Sequence, residues 1–351
     1  MLEIFKAWYK KYFSNPEAIV LLLVLFIIFS LIVVIGEILA PVIVSLIIAY
    51  LLEWWVNMLM QYNISRRFAY LLVYTAFLAI FVVAILVLLP LLWRQFSNLF
   101  TDLPQMLQNA KSSLINLVEK YPAYFSTEQI DTLISSLLID IQHWAKTKVS
   151  SSLSYIPGII TWLVYLFLVP LLVFFFLKDS KDIIAWVTRF FPRNRKVLNT
   201  VWLEMDRQIG NYIRGKIIQI TIVGLVNSLV FLYFDLHYSI LLAAIIGISV
   251  IIPYIGAVLV TIPLILVGYL QWGFSAELTY MLVAYFIVQA LDGNVLVPIL
   301  FSNAVNLHPV AIIVAILFFG SVWGMCGVFF AIPLATLVRT VLMVWPKEEK
   351  A

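Results

Sequence analysis

Long runs of apolar residues without a single charge are the feature that most restricts how this chain can fold. Residues 18–35, for example, contain no Asp, Glu, Lys or Arg. A helix needs about 20 predominantly apolar residues to cross the hydrocarbon core of a bilayer. The whole chain is 64% hydrophobic and only 11% charged, which leaves too little polar surface for a soluble fold. The sequence therefore predicts an all-α, polytopic integral membrane protein with about eight apolar segments, near residues 18–35, 38–52, 68–93, 156–177, 217–235, 238–270, 278–300 and 310–345.

The positions of Lys and Arg between these segments predict the orientation of the chain. They cluster before the first segment, at Arg66-Arg67, around residues 189–196 and after the last segment. The connections at Gly36-Glu37 and at residues 235–238 contain no Lys or Arg. Because basic connections stay on the cytoplasmic side, we expect both termini in the cytoplasm.

Two polar excursions interrupt the apolar segments and suggest how the chain is divided. In the first, charges are mixed evenly and Ser126 with Gln129 forms a capping-box pattern. In the second, apolar residues recur three and four apart, which predicts an amphipathic helix that lies on the membrane, packs on a neighbouring subunit or supports the spans. The predicted division is N-terminal membrane spans at 1–93, an extracytoplasmic helical insertion at 94–155, a membrane span at 156–177, a cytoplasmic amphipathic helical segment at 178–216, a repeat-containing transport core at 217–345 and a cytoplasmic tail at 346–351.

The last third of the chain contains two similar apolar stretches. Each opens with Leu-His and ends in Ile-Pro-Leu, over residues 236–264 in the first copy and 307–334 in the second. Unwound backbone at membrane depth is tolerated only where it lines a cavity or is buried in protein, so duplicated, broken segments point to the binding site of a transporter. The helix-breaking residues that interrupt the two copies are Gly247, Pro253 and Gly256, and Gly320, Gly324 and Gly327.

Each copy is too long for one straight crossing, because about 30 residues of helix reach roughly 45 Å whereas the hydrocarbon core is about 30 Å thick. Each could be a tilted, kinked crossing, which makes the copies parallel repeats. Alternatively, each could turn back at its break as a re-entrant hairpin, which inverts the second copy relative to the first. We favour the hairpin, although both solutions leave the C-terminus on the same side.

Several short motifs from Pro170 onward occur in a characteristic order and spacing. They are Pro170 with Phe-Phe-Phe-Leu-Lys-Asp at 174–179, Asn-Tyr-Ile-Arg-Gly at 211–215, Ile-Pro-Tyr-Ile-Gly at 252–256, Gln289 to Asn294 with Pro298, Leu-His-Pro at 307–309, Trp-Gly at 323–324 with Gly327, and Ala-Ile-Pro-Leu at 331–334. Together they resemble the autoinducer-2 exporter (AI-2E) family, which includes the PerM-like permeases. Residues 1–155 match mainly in the layout of their spans. Lys216 is a departure, because the family usually has Gln there, so the family's role is not carried over to this position.

The resemblance implies a permease of the bacterial plasma (inner) membrane. Some family members are linked to export of autoinducer-2 and others to Na+/H+ antiport, so membership does not fix the substrate. Together with the broken repeats, it leads us to expect a secondary transporter or exporter that moves a small polar solute, such as autoinducer-2, by alternating access. The alternatives are a Na+/H+ antiporter of the same family, a channel or a non-transporting membrane scaffold. The expected partners are the lipid bilayer, the transported molecule or ion and further copies of the chain in a homo-oligomer.

Polar side chains within apolar segments are costly, and they usually either pair across helices or line a pathway. Asn227 lies in the middle of the fifth segment, and Gln289, Asp292 and Asn294 lie at the end of the seventh. A carboxylate at Asp292 could bind a cation or exchange a proton, or it could cap a neighbouring helix. The predicted substrate or ion pathway combines these four residues with the backbone of the two breaks, at Pro253, Tyr254, Gly256, Gly320, Gly324 and Gly327.

Two further residues are candidates for a role in transport. Arg214 precedes the fifth segment on the predicted cytoplasmic face, where it could meet entering substrate, bind a lipid head group or simply orient the segment. His308 opens the second copy and could titrate near neutral pH, so it is a candidate for coupling together with Asp292. The alternative for His308 is a packing or capping role.

The sequence lacks the patterns that enzymes of common classes carry. It contains no G-x-x-x-x-G-K-[ST] phosphate loop, no H-E-x-x-H zinc motif and no G-x-S-x-G nucleophile elbow. Three histidines and one cysteine offer few metal ligands. No basic cluster alternates with exposed aromatic residues in the manner of a nucleic-acid surface. We therefore predict that the protein is not an enzyme, with no cofactor, no metal site and no nucleic-acid partner.

Overall fold

The computed structural model describes residues 16–120, 132, 135–136, 156–189, 196–253, 255–301 and 307–344, and the regular elements within these ranges are all helices. In chain order they are α1 (Pro16–Gln61), α2 (Arg66–Val83), α3 (Leu89–Lys120), α4 (Ile156–Lys178), α5 (Ser180–Thr188), α6 (Lys196–Tyr233), α7 (Ser239–Ser249), α8 (Ile255–Trp272), α9 (Ala276–Leu291), α10 (Val297–Phe301) and α11 (Pro309–Val344). Short π-helical turns join α2 to α3 at Ala84–Leu88 and α9 to α10 at Asp292–Leu296. The prediction of an all-α fold is confirmed.

Six helical segments in the described ranges are long and apolar enough to cross a membrane. A seventh is added if α4 and α5, which are bent by 76° relative to each other, count as one span. This agrees with the predicted polytopic membrane protein of about eight apolar segments. The six segments are Ile38–Gln61, Arg66–Asn109, Asn199–Tyr233, Ile255–Trp272, Ala276–Phe301 and Cys326–Met343.

One predicted boundary coincides with a kink, and another lies inside a continuous helix. The break between the predicted segments 18–35 and 38–52 falls where two helical parts of α1 meet at a kink, with Ile35 in a non-helical conformation (φ −125°, ψ 17°) beside Gly36. In contrast, α3 continues from α2 through the π-helical turn, so the predicted insertion at 94–155 begins as an extension of a membrane helix. The rest of that insertion lies almost entirely outside the described residues.

The chain divides into two compact units. The first contains the described residues up to Leu78, those in Tyr165–Ile217 and those from Pro298 onward. Its larger core joins α1, α2 and α4 through Ala49, Val56, Ala69, Val73, Val169, Val173 and Leu177. A smaller cluster packs Val201, Met205 and Ile209 of α6 against Leu337 and Val341 of α11. This packing corresponds to the supporting role that was one alternative for the predicted amphipathic helix.

The second unit contains the described residues of Ala79–Val164 and Ile218–Val297. It has a single large apolar core among α6, α7, α8 and α9, whose fully buried side chains include Phe231, Ile246, Leu264, Met281 and Tyr285. Helix α3 packs against α7 and α8 at the edge of this core. Most of the first repeat copy and the polar end of α9 therefore belong to one unit.

Candidate functional site

The break in the first repeat copy is a tight turn between α7 and α8. A Cβ atom at position 256 would lie 1.8 Å from the carbonyl oxygen of Ser249. Along a straight helix these two positions would be separated by a rise of about 10 Å. The chain therefore turns back on itself between α7 and α8, and only a glycine allows this approach.

The break in the second copy has the same kind of contact. Trp323 and Gly324 are non-helical, and Gly324 has a φ of 59°, in the left-handed region that favours glycine. A Cβ atom at position 327 would lie 1.8 Å from the carbonyl oxygen of Phe319. Gly256 and Gly327 stand at the same distance from the Leu-His pair of their copies. The shared geometry favours the hairpin alternative over a kinked crossing.

Several polar backbone groups at the first break are paired locally. The Pro253 carbonyl accepts a hydrogen bond from the Ile255 N–H (2.7 Å), and the Ile252 carbonyl accepts one from the Gly256 N–H (2.9 Å). These groups are less available to a solute than the sequence suggested. Tyr254 lies outside the described residues. In the second break Gly320 is half-buried, Gly324 is exposed and Gly327 is buried.

Polar side chains of α6 and α9 form a stripe that we call the α6–α9 seam. It consists of Gln219 and Asn227 on α6, Tyr285 and Gln289 on α9, and Asp292 in the π-helical turn that follows α9. Residues three, four, seven or eight apart lie on one stripe of a helix, so the members on each helix point to the same side. All five belong to the second unit.

Two contacts align the helices along the seam. At one end, Gln219 Nε2 donates hydrogen bonds to both carboxylate oxygens of Asp292, at 2.8 and 3.0 Å. Gln219 is only 2% exposed. Further along, the rings of Phe231 and Tyr285 pack with their centres 6.4 Å apart. Asn227 and Gln289 lie between these two contacts along their helices.

The middle of the seam contains two buried polar atoms that lack a hydrogen-bond partner among the described residues. Asn227 is 0% exposed, and its Nδ2 donates to the Val223 carbonyl (2.8 Å), which leaves Oδ1 unpaired. The Nε2 of Gln289 is also buried and makes no hydrogen bond of full geometry, although the Tyr285 hydroxyl lies within reach of the Gln289 side chain. Each such group costs about 1–3 kcal/mol of folding free energy. The seam therefore offers one acceptor and one donor to a bound polar group.

The Tyr285 hydroxyl links the seam to the first break. It shares a hydrogen bond of 2.7 Å with the Thr261 hydroxyl. Thr261 in turn donates to the carbonyl of Ala257, the residue that follows Gly256 (2.7 Å). A continuous chain of hydrogen bonds through two hydroxyl groups therefore connects the turn between α7 and α8 to the seam.

Comparison with known proteins identifies the family. A family model described as "AI-2E family transporter" matches residues 18–347. The chain belongs to this family. It is 45% identical to the putative permease PerM of Escherichia coli strain K12 over 351 residues, which are 100% of this chain and 99% of the relative. The resemblance drawn from the motifs is confirmed.

More distant relatives also carry transport names. The putative transport protein YrrI of Bacillus subtilis is 26% identical over 315 residues, 89% of this chain and 87% of the relative. The AI-2 transport protein TqsA of E. coli strain K12 is 24% identical over 319 residues, 88% of this chain and 86% of the relative. The protein is thus a multi-pass bacterial membrane transporter and not an enzyme.

Three predicted residues of this AI-2E transporter lie outside the seam. Asn294 is exposed, and its side chain donates to the Ala290 carbonyl of its own helical turn (2.8 Å). His308 is exposed, and its Nδ1 accepts from the Val310 N–H (3.3 Å). That bond caps the first turn of α11, as the alternative for His308 proposed.

Arg214 and Lys216 belong to the first unit and contact aromatic rings. Arg214 donates to Asn211 Oδ1 (2.9 Å), and its guanidinium carbon lies 5.9 Å from the centre of the Trp54 ring. Lys216 is buried, with its Nζ 5.2 Å from the centre of the Phe301 ring. Both arrangements are cation–π contacts, which stabilise a positive charge in an apolar setting.

The sequence did not single out Gln219, Tyr285 or Thr261. The spacing of eight between Gln219 and Asn227, and of four between Tyr285 and Gln289, was the available signal. Within the described ranges, no three His, Cys, Asp or Glu side chains come together as a metal centre would require. The arrangement is suited to binding polar molecules or a cation through amides, hydroxyls and one carboxylate.

Proposed function

We propose that this AI-2E transporter is a secondary transporter of a small polar solute, and that the α6–α9 seam forms part of its binding site. The observation that carries the proposal is the pair of buried, unpaired polar atoms on Asn227 and Gln289. A polar solute can supply both a donor and an acceptor, whereas a lipid tail can supply neither. The two buried polar atoms destabilise the protein without solute, and they gain hydrogen bonds when the solute binds.

Autoinducer-2 is the first solute to test. The relative TqsA is named as an AI-2 transport protein, and it aligns with most of this chain. A small polar molecule with hydroxyl groups could both donate to Asn227 Oδ1 and accept from Gln289 Nε2. We propose export as the direction and alternating access as the mechanism, with the turns at the two repeat breaks as the points where helices change their angle.

Asp292 is the proposed coupling residue. It is an acidic side chain that accepts two hydrogen bonds from Gln219, so binding of a proton or a cation would change the hydrogen bonds at this end of the seam. The same observation supports the second candidate function, a Na+/H+ antiporter, in which the ion is the substrate. Both candidate functions use Asp292 to bind the ion. They differ in whether a polar solute crosses the membrane together with the ion.

The proposal is tested by flux measurements on purified protein in proteoliposomes with an imposed proton or Na+ gradient. Asp292→Asn keeps the shape and a hydrogen-bonding group but removes the charge, so we expect gradient-driven flux to fall by about ten-fold or more. Asn227→Ala and Gln289→Ala should raise the KM for the solute by about five-fold each, since each removes one hydrogen bond. Asn294→Ala is the matched control, because its amide lies off the seam, and its flux should stay within about two-fold of the parent.

The possible results separate the alternatives. Solute flux that depends on the gradient supports the transporter, and ion exchange without solute flux supports the antiporter. Large currents that do not saturate would indicate a channel, and no flux of any kind would indicate a scaffold. Unchanged coupling in Asp292→Asn would remove this residue from the mechanism.

A further inference from the structure

Helix α5 leaves the end of a membrane span at a steep angle. The chain bends by 76° between α4 and α5, with Asp179 as the residue between them. Because α4 is apolar enough to be part of a span, the bend brings α5 close to the plane of the membrane. A tilt of α4 by about 20°, which is typical of membrane helices, would still leave α5 within roughly 35° of that plane.

The start of α2 lies at the same level as the start of α5. Arg66, at the start of α2, donates to the Ser180 hydroxyl at the start of α5 (2.7 Å). Arg66 also forms an ion pair with Glu53 of α1 (2.8 Å). Exposed aromatic side chains stand beside it at Tyr62 and Phe68. Chain ends, paired charges and exposed aromatic rings at one level are typical of the membrane–water interface.

The side chains of α5 divide into two faces. At 100° per residue, Ile183, Ile184, Trp186 and Val187 lie on one side, whereas Lys181, Asp182, Ala185 and Arg189 lie on the other. Ile184 is 58% exposed and Val187 is 41% exposed. An exposed apolar face opposite a polar face is the pattern of a helix that lies in a membrane interface.

The charge around α5 indicates which lipids it would meet. Residues 178–196 contain six basic side chains and only two acidic ones, at Asp179 and Asp182. Clusters of Lys and Arg beside a membrane helix attract anionic head groups. The basic members are Lys178, Lys181, Arg189, Arg193, Arg195 and Lys196.

We infer that α5 is an interfacial helix that inserts Ile184 and Val187 among the lipid chains and binds anionic phospholipid head groups through Lys181 and Arg189. The bend, the two faces and the excess of basic residues all fit this one occupant. A second protein chain would account for the apolar face but not for the excess of basic residues in this part of the sequence. The inference is independent of the α6–α9 seam and of the transported solute.

Spin labels on opposite faces of α5 test the inference. Cys326 is the only cysteine, so Cys326→Ser gives a background for labels at Val187→Cys and Ala185→Cys. In nanodiscs of phosphatidylcholine with phosphatidylglycerol, the label at 187 should collide with oxygen about three-fold more often than with a water-soluble nickel complex, and the label at 185 should show the reverse. The label at 187 should also lie deeper than in nanodiscs of phosphatidylcholine alone.

Charge substitutions separate lipid binding from simple burial of the apolar face. Lys181→Gln combined with Arg189→Gln should give the label at 187 the same depth in the two lipid mixtures. The double substitution should also reduce the amount of phosphatidylglycerol that co-purifies with the protein by about two-fold. Arg94→Gln, an exposed cation on α3, is the matched control and should leave both readings unchanged.

Three results would overturn the inference. Access of the nickel complex to position 187 would place α5 in water. Protection of position 187 from both reagents would mean that protein covers the face. Equal depth in the two lipid mixtures would show that head-group charge plays no part.

Discussion

Buried polar side chains are the main source of functional information at the scale of single residues. Asn227, followed by Ser228, interrupts an apolar stretch and is therefore visible in the sequence. Gln219 stands near the start of its predicted segment, where a polar residue would ordinarily mark the interface, yet the structure buries it against Asp292. Its role became visible only when the pairing partner, distant in sequence, was known.

Tyr238 illustrates how a hydroxyl outside the spans stabilises one unit. It donates a hydrogen bond to Asp102 Oδ2 (2.7 Å), which ties the turn before α7 to α3. Burial raises the pKa of Tyr238 above its ordinary value, and the hydrogen bond to Asp102 raises it further. The neutral phenol is therefore favoured in the folded protein.

We predict that Tyr238→Phe lowers the free energy of unfolding by about 1 kcal/mol at pH 7, since the lost bond is a partly exposed one to a carboxylate. Because the pKa of Tyr238 is raised on folding, the stabilisation is fully present below the unfolded value near 10 and is lost as the pH rises above it. Thermal unfolding should show the same difference in stability between parent and variant at pH 7 and pH 9. The difference should be smaller at pH 10.5. Tyr233→Phe, at an exposed ring on α6, is the control and should match the parent at pH 7.

At the scale of elements, departures from regular helix geometry place the functional groups. The π-helical turn Asp292–Leu296 contains an extra residue per turn, and it begins at the carboxylate that binds Gln219. A matching π-helical turn at Ala84–Leu88 contains only apolar residues. Such turns have no simple signal in sequence, because they depend on how the helix packs against its neighbours.

The turns at the repeat breaks lead to a prediction about glycine. Gly256→Ala would bring a Cβ atom to 1.8 Å from the Ser249 carbonyl oxygen, so the turn must open, and we expect a loss of about 3 kcal/mol in the free energy of unfolding. Gly293→Ala is the matched control, because a Cβ atom there meets nothing within 4 Å. Thermal unfolding in detergent should show a clearly lower midpoint for Gly256→Ala and little change for Gly293→Ala. Equal midpoints would contradict the tight turn.

At the scale of the whole molecule, the two repeat breaks determine the path of the chain through the membrane. With both termini in the cytoplasm, as the basic connections predict, two hairpins place the loop before α9 at Ser275 outside and the connection at Asn303 in the cytoplasm. If both repeat copies are crossings, the two positions exchange sides. The described geometry of both breaks favours hairpins.

Single cysteines in the Cys326→Ser background decide between these paths. We expect Ser275→Cys to react with an impermeant maleimide added outside intact cells, and Asn303→Cys to react only after the cells are opened. The opposite pattern would establish two crossings. A cysteine placed beside Arg66-Arg67 serves as the cytoplasmic reference, since basic connections are retained on that side.

The sequence by itself determined that this is a helical membrane protein, because uncharged apolar runs of this length are stable only in a bilayer. It also located the repeat breaks, because Gly and Pro mark them directly. It could not reveal that α3 extends α2, since this depends on helix packing.

Only the tertiary structure decided which polar residues act together. It joined Gln219 to Asp292 and set Asn227 and Gln289 between the contacts of α6 and α9, while it left Asn294 and His308 at the surface. The physical reason is that a polar residue in a membrane helix is equally compatible with lipid headgroups, a neighbouring helix or a pathway. Which of these it meets depends on the rotation and register of helices that are far apart in sequence.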